Sequence, residues 1–252
     1  MVEQNVLEQV KTHWDHQFSK GGEYAAPQIG DPTVIPYARC LEYFGEMKGK
    51  TILDLGCGSG KSTLLFAALG AKVTAVDISQ TAVDNLRDYI EKNKIENVQT
   101  VCCNVLKLKD AEPFDYIFGS MILHHIEPFE EFAKCLDSIV KPNGKCFFYE
   151  NNSRSKFLMF FRKTLPGKLW IHKSSDDFEY PLEPGEIAVL SQYFTMTLEY
   201  PYLHYFRMFL PYIIPFMRFV NRFFVSFDNL IYKLVPPMRK YSYRQYLMFS
   251  KQ

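Results

Sequence analysis

The chain has no apolar run of membrane-spanning length: the nearest, residues 208–217 (MFLPYIIPFM), offers ten residues free of charge, against about 20 for a spanning helix. It has almost no net charge, +1 from 29 basic and 28 acidic residues, so no global field draws it to nucleic acid. The six cysteines, Cys40, Cys57, Cys102, Cys103, Cys135 and Cys146, form no C-x-x-C pair. The expectation is buried, reduced thiols in a cytoplasmic protein. The first residues, MVEQNVLEQVKTHWDHQF, carry early charges and no apolar core, unlike a secretory signal. There is no internal repeat and no low-complexity tract. His13 and His16 lie three apart without a nearby Cys or Asp to complete a ligand set, so no metal is expected.

What is present suits one globular domain spanning 1–252: 47% apolar and 23% charged residues. Residues 1–50 read as a helical preamble, with Val2, Val6, Leu7 and Val10 at helical spacing followed by Trp14 and Phe18. From 51 to 150, strands and helices alternate. TILDL (51–55), KVTAVD (72–77), VQTVCC (98–103), FDYIFGSM (114–121) and KCFFYE (145–150) read as strands. Helices are expected over 36–46, 61–69, 79–93 and 128–140. Ser79 offers an N-cap to the third of these. Strands joined by helices imply parallel pairing in an open, doubly wound α/β sheet. Beyond 150 the pattern gives a polar-then-basic insert (151–182), a helix over 184–192, a strand at 194–200, an aromatic helical segment over 203–235 bent at Pro211 and Pro215, and a last strand over 241–249. Seven strands result, mostly parallel, with substrate-side inserts at 151–193 and 201–240.

The loop after the first strand, LDLGCGSGKST (53–63), raises two phosphate-binding readings. A P-loop needs glycine five positions before the Gly60-Lys61-Ser62 glycine, where Leu55 stands. A dinucleotide loop needs G-x-G-x-x-G, but the spacing here is Gly56-x-Gly58-x-Gly60, with Cys57 between the first two. Asp54-x-Gly56-x-Gly58-x-Gly60 instead resembles the first motif of the class I S-adenosylmethionine-dependent methyltransferases. AVDIS (75–79), FDYIFGSMILHHI (114–126) and VKPNGKCFFYEN (140–151) resemble that family's later elements in order. The resemblance covers about residues 45–150. It implies a Rossmann-like seven-stranded fold and S-adenosylmethionine as cofactor.

The resemblance also assigns residues. Asp54, Gly56, Cys57, Gly58 and Gly60 would form the cofactor loop. Asp77 and Ile78 would sit at the ribose, where an acid accepts hydroxyl hydrogen bonds; alternatively Asp77 caps a helix. Asn104 replaces the family's usual Asp near the adenine amine, which its side-chain carbonyl can accept, and Val105 would pack on the ring. Ser120 ends the fourth strand. An aromatic N-terminal segment closes over the cofactor in many members, and Trp14, Phe18 and Tyr24 suit that task or serve as ordinary core. Methyl transfer from a sulfonium is an in-line displacement, so alignment and exclusion of water dominate. A base is needed when the nucleophile carries a proton, and His125, His124 and Glu150 stand where strands four and five end. His125 is the favoured base. Glu150 orients a hydroxyl, partners a histidine or caps a helix.

The remaining choice is the acceptor. ENNSRSKFLMFFRKTLPG (150–167) together with DDFEYPL (176–182) resembles an insert of the type 11/12 bacterial methyltransferases, which act mostly on small molecules and include quinone-biosynthesis enzymes. The expected reaction is methylation of a small, partly apolar acceptor, oxygen first. A nucleic-acid or protein acceptor is disfavoured, because no Asn-Pro-Pro-aromatic tetrad follows strand four and no basic patch is present. Two other classes stay open: a non-catalytic cofactor-binding module, and a peripheral membrane protein whose 203–235 segment lies on the bilayer surface.

Overall fold

The computed structural model describes residues 2–19, 29–164, 181–208 and 218–251, with side chains for all of these except 2–7, 161–164 and 218–221. Tyr24, the Pro211–Pro215 bend and residues 165–180 of the 151–182 insert therefore lie outside the described residues.

Seven strands form one sheet in the order β3-β2-β1-β4-β5-β7-β6. They are β1 (Thr51–Leu55), β2 (Lys72–Asp77), β3 (Val98–Cys102), β4 (Phe114–Ser120), β5 (Val140–Asn151), β6 (Thr195–Glu199) and β7 (Arg244–Ser250). The first five pair in parallel, while β7 runs antiparallel to both β5 and β6. The chain order reverses between β1 and β4, the place where an open α/β sheet leaves a crevice beyond its carboxyl ends.

The helices are α1 (Val2–Ser19), α2 (Tyr37–Phe44), α3 (Lys61–Ala68), α4 (Gln80–Lys92), α5 (Phe129–Ile139), α6 (Lys156–Thr164), α7 (Pro184–Leu190) and α8 (Arg218–Leu234). Their positions follow from local chemistry. In α4, Ala82, Val83, Leu86 and Ile90 form the buried stripe of an amphipathic helix, and the Ser79 hydroxyl caps it by accepting from the Ala82 N–H at 3.2 Å. In α5 the apolar face is Phe129, Phe132, Ala133, Leu136 and Ile139, with Glu130 and Glu131 in the first turn where a helix favours acids. The sheet has a core on each face. Phe148, Leu247 and Phe249 meet α5 and α7 on one side, and Phe118, Phe147 and Met248 meet α2 and α3 on the other. All six cysteines are free thiols. Among the described residues no helix is long and apolar enough to cross a membrane.

The glycine turn sets the spacing between β1 and α3. Gly60 has φ +76°, and a Cβ there would stand 2.5 Å from Leu86 Cδ1 of α4. Only glycine satisfies both the left-handed backbone and the contact. Gly60→Ala is expected to cost about 2 kcal/mol or more, read as a lower urea midpoint with an unchanged slope.

Candidate functional site

A cavity of about 900 Å³ opens beyond the carboxyl ends of β1, β2 and β4, near the upper end of the range for small-molecule sites. Its floor is the glycine turn. Gly56 and Gly58 line it, both with positive φ, and a Cβ on Gly58 would stand 3.2 Å from the Phe18 ring of α1. The missing side chain is what lets α1 lie against the loop. Asp54, Cys57 and Gly60, expected at the cofactor, are not among the lining residues. Asp54 is buried beneath the turn and accepts from the Ser62 and Thr63 hydroxyls, so it ties β1 to the first turn of α3. Burial pushes its carboxyl up to about 6. Cys57 packs with Leu64, Leu86 and Ile90. These three residues shape the loop from behind.

Asp77 ends β2 at the cavity wall. Its Oδ2 accepts from the Gly58 N–H and its Oδ1 from the Ser79 N–H, both at 2.9 Å. Helix capping falls to Ser79, so Asp77 braces the glycine turn. Burial raises its carboxyl above the ordinary range, and the backbone donors oppose that shift. Each carboxylate oxygen keeps a further lone pair for a ligand hydroxyl. Ile78 and Val105 supply apolar walls. Asn104 also lines the cavity, but its Oδ1 already accepts from the Leu106 N–H at 3.0 Å, capping a single turn of 3-10 helix over Val105–Leu108. The expected role as acceptor for an amine thus shares an oxygen that a cap occupies. A paired glycine cradle, a carboxylate with free lone pairs and flanking apolar walls fit the adenosyl and amino-acid parts of S-adenosylmethionine.

The lid expectation rests on α1. Trp14 lines the cavity and meets the His125 ring edge-on at 5.6 Å, with Phe18 beside it at 6.0 Å. A residue the sequence reading passed over anchors this helix. Asp15 accepts from the Ser79 hydroxyl at 2.6 Å and the Thr81 N–H at 3.0 Å, at the N-terminus of α4. Its signal was the acid inside HWDHQF, one residue from the aromatic that lines the cavity.

The reactive end lies between β4 and β5. Ser120 and Met121 line the cavity, and Met121 takes φ +58°, rare for a side chain of its size. One turn of 3-10 helix follows, Leu123–His125. Glu150, fully buried on β5, holds it: Oε1 accepts from the Ile122 and Leu123 N–H groups at 2.8 and 2.7 Å. Its Oε2 lies 2.7 Å from His124 Nδ1. A carboxylate only accepts, so Nδ1 carries the proton and Nε2 presents a lone pair. His124 lines the cavity, its ring is buried, and Nε2 has no hydrogen-bond partner among the described residues. Of the three expected roles for Glu150, the structure places the histidine partner; the glutamate itself is not at the cavity wall.

His125 also lines the cavity, 4.1 Å from the His124 ring. Burial first, then His124 and His13 beside it, hold its imidazole down to about 3, so it is neutral throughout the physiological range. The rest of the wall is acidic. Glu127, Glu130, Glu183 and Glu186 join Asp77, and no Lys or Arg is among the described lining residues. The sequence does not signal this acidic wall, because only the meeting of the α5 and α7 N-termini brings these residues together. The histidine burial has a thermodynamic consequence. His125 titrates near 6.5 in the unfolded chain and near 3 in the folded one, so acid favours unfolding below pH 6.5. Moving from pH 7 to pH 5 should cost up to about 2 kcal/mol at this site. His125→Gln should lose correspondingly less over that interval by urea denaturation.

Comparison with known proteins bears on this site. A methyltransferase-domain family model matches residues 52–144. The ubiquinone biosynthesis O-methyltransferase of Coxiella burnetii is 30% identical over 176 residues, covering 68% of this chain and 72% of the relative. The protein of that name from Neisseria meningitidis is 25% identical over 178 residues, covering 69% and 74%. Among solved structures, magnesium protoporphyrin IX methyltransferase from Synechocystis with bound S-adenosylhomocysteine has a TM-score of 0.62 at 16% identity, over 97% of this chain and 99% of that one. The cyclase SpnF has a TM-score of 0.59 at 18% identity, over 96% and 95%. At these identities the structures speak for the fold alone.

Proposed function

The chain belongs to the class I S-adenosylmethionine-dependent methyltransferases, and we propose that it methylates a hydroxyl of a small, partly apolar molecule, with His124 as the base. The observation that carries this reading is the buried Glu150–His124 pair beside the cavity, in which His124 Nε2 has no hydrogen-bond partner among the described residues. The names of the Coxiella and Neisseria relatives support oxygen as the acceptor atom.

The cofactor, when bound, supplies a methyl group already activated by a sulfonium charge. The chain's own residues would do the rest. The glycine turn and Asp77 fix the donor's place. Trp14 and Phe18 of α1 cover the cavity and exclude water. His124 Nε2 takes the proton of the acceptor hydroxyl, and Glu150 stabilises the imidazolium that forms while holding the ring in one tautomer. What supports His124 over His125, the favoured base from sequence, is the partner: His124 has a buried carboxylate at its other nitrogen, whereas burial leaves His125 a weak base. His125 then serves as a neutral wall beside Trp14. The acidic lining favours cationic ligands, so it would hold the sulfonium form of the cofactor more tightly than the neutral sulfide product.

The test is a panel of phenols, catechols and amines with radiolabelled S-adenosylmethionine. Transfer to a phenolic oxygen is expected, and transfer to amines alone would overturn the acceptor assignment. On the accepted substrate, His124→Gln should lower turnover roughly 10²–10⁴-fold. Glu150→Gln should lower it by about 10²-fold and steepen its dependence on pH, with S-adenosylhomocysteine affinity kept within a few-fold. Full activity of His124→Gln would remove the base.

A further inference from the structure

We infer that the outer face of α8 is a docking surface for an anionic membrane. The helix is held to the protein along one side. Asp228, buried on its inner side, accepts from the backbone N–H groups of Tyr205, Phe206 and Arg207 at 3.3, 2.9 and 3.2 Å. Tyr232 donates to the Tyr200 carbonyl at 2.7 Å. These contacts fix which side of the helix faces the protein.

The opposite side is apolar and exposed. Phe223 is 63% exposed, Leu230 50% and Leu234 69%, and Val235, just past the helix, is 38% exposed. At 3.6 residues per turn, positions 223, 227, 230 and 234 fall on one line along the axis. Phe223 stacks on Phe227 along it. A soluble helix ordinarily turns such a stripe inward; here the buried Asp228 and Tyr232 contacts turn it outward.

The charges select the occupant. Arg222 and Lys233 are exposed and lie on the same flank, roughly a quarter-turn from the apolar line. The acid of this helix, Asp228, is buried, so the charge that α8 shows to solvent among its described side chains is positive. Lys240 is exposed in the 3-10 turn Pro236–Tyr241 that follows the helix. An apolar line with cations along one side matches a bilayer interface, where the side chains enter the acyl boundary and the ammonium and guanidinium groups meet lipid phosphates. A neutral protein groove would use the stripe but not the flank.

The experiment is co-sedimentation of the full chain with vesicles of phosphatidylcholine containing about one part in three phosphatidylglycerol, against pure phosphatidylcholine. Binding is expected to the anionic vesicles, weakening as salt rises. Arg222→Gln with Lys233→Gln should lower affinity roughly tenfold or more. Leu230→Ser with Leu234→Ser should abolish binding while calorimetric affinity for S-adenosylhomocysteine, reporting an intact fold, is unchanged. No sedimentation with anionic vesicles, or equal sedimentation of the two-serine variant, would overturn the inference. So would self-association in solution that the two-serine variant removes without any vesicle binding, since the face would then serve a second copy of this chain.

Discussion

A single carboxylate holds together the edge of the sheet where the cavity opens. Glu150 lies on β5, fully buried, and spends its oxygens on the loop that follows β4: two backbone N–H groups and one imidazole nitrogen. A buried acid is costly unless its lone pairs are met by donors. Here the loop supplies them, and in return it has one conformation. The left-handed Met121, the single 3-10 turn and the orientation of the His124 ring all sit on that arrangement. The pairing of β4 with β5 beneath it, in register from Tyr116 against Lys145 to Ser120 against Tyr149, is what brings the two halves within reach.

Asp77 repeats the same solution one crossover away. It too is a strand-end acid whose oxygens accept backbone N–H groups, from the glycine turn and from the start of α4. The cavity is thus framed by two acids that build their loops, Asp77 at the wall and Glu150 behind His124. Helix α1 is joined to this frame by a third, Asp15, which accepts from the Ser79 hydroxyl. The arrangement explains why the expected loop residues divide as they do. Those with side chains pointing behind the turn, Asp54 and Cys57, hold shape, and the positions lacking side chains, Gly56 and Gly58, meet the cavity.

Most of the sheet was legible because each strand is short, apolar and closed by a turn signal, and each helix carries a periodic apolar face. The Gly-x-Gly-x-Gly spacing and the strand-end Asp77 were legible for a related reason: their chemistry is local, set by backbone conformation within a few residues. What could not be read was pairing across the sheet. Glu150 and His124 are 26 positions apart, and nothing in their own segments says which histidine of the HisHis pair the acid will choose. The alternation of side chains along β5 decides it by sending Phe148 and Glu150 to the face opposite Phe147 and Tyr149. The acidic wall of the cavity was hidden for the same reason, since Glu130 and Glu186 belong to helices that meet only in the folded chain. The aromatic 203–235 segment was legible as amphipathic, but which side faces solvent follows from the Asp228 contacts.

The proposed base depends on the tautomer of one ring, His124. Two-bond ¹H–¹⁵N correlation spectra of histidine-labelled protein, saturated with S-adenosylhomocysteine at neutral pH, read it directly, with His124 assigned by its loss in His124→Gln. The predicted spectrum has His124 protonated at Nδ1 and bare at Nε2. A ring protonated at Nε2 would leave no lone pair on that nitrogen, and the proton-accepting role assigned here to His124 would be wrong.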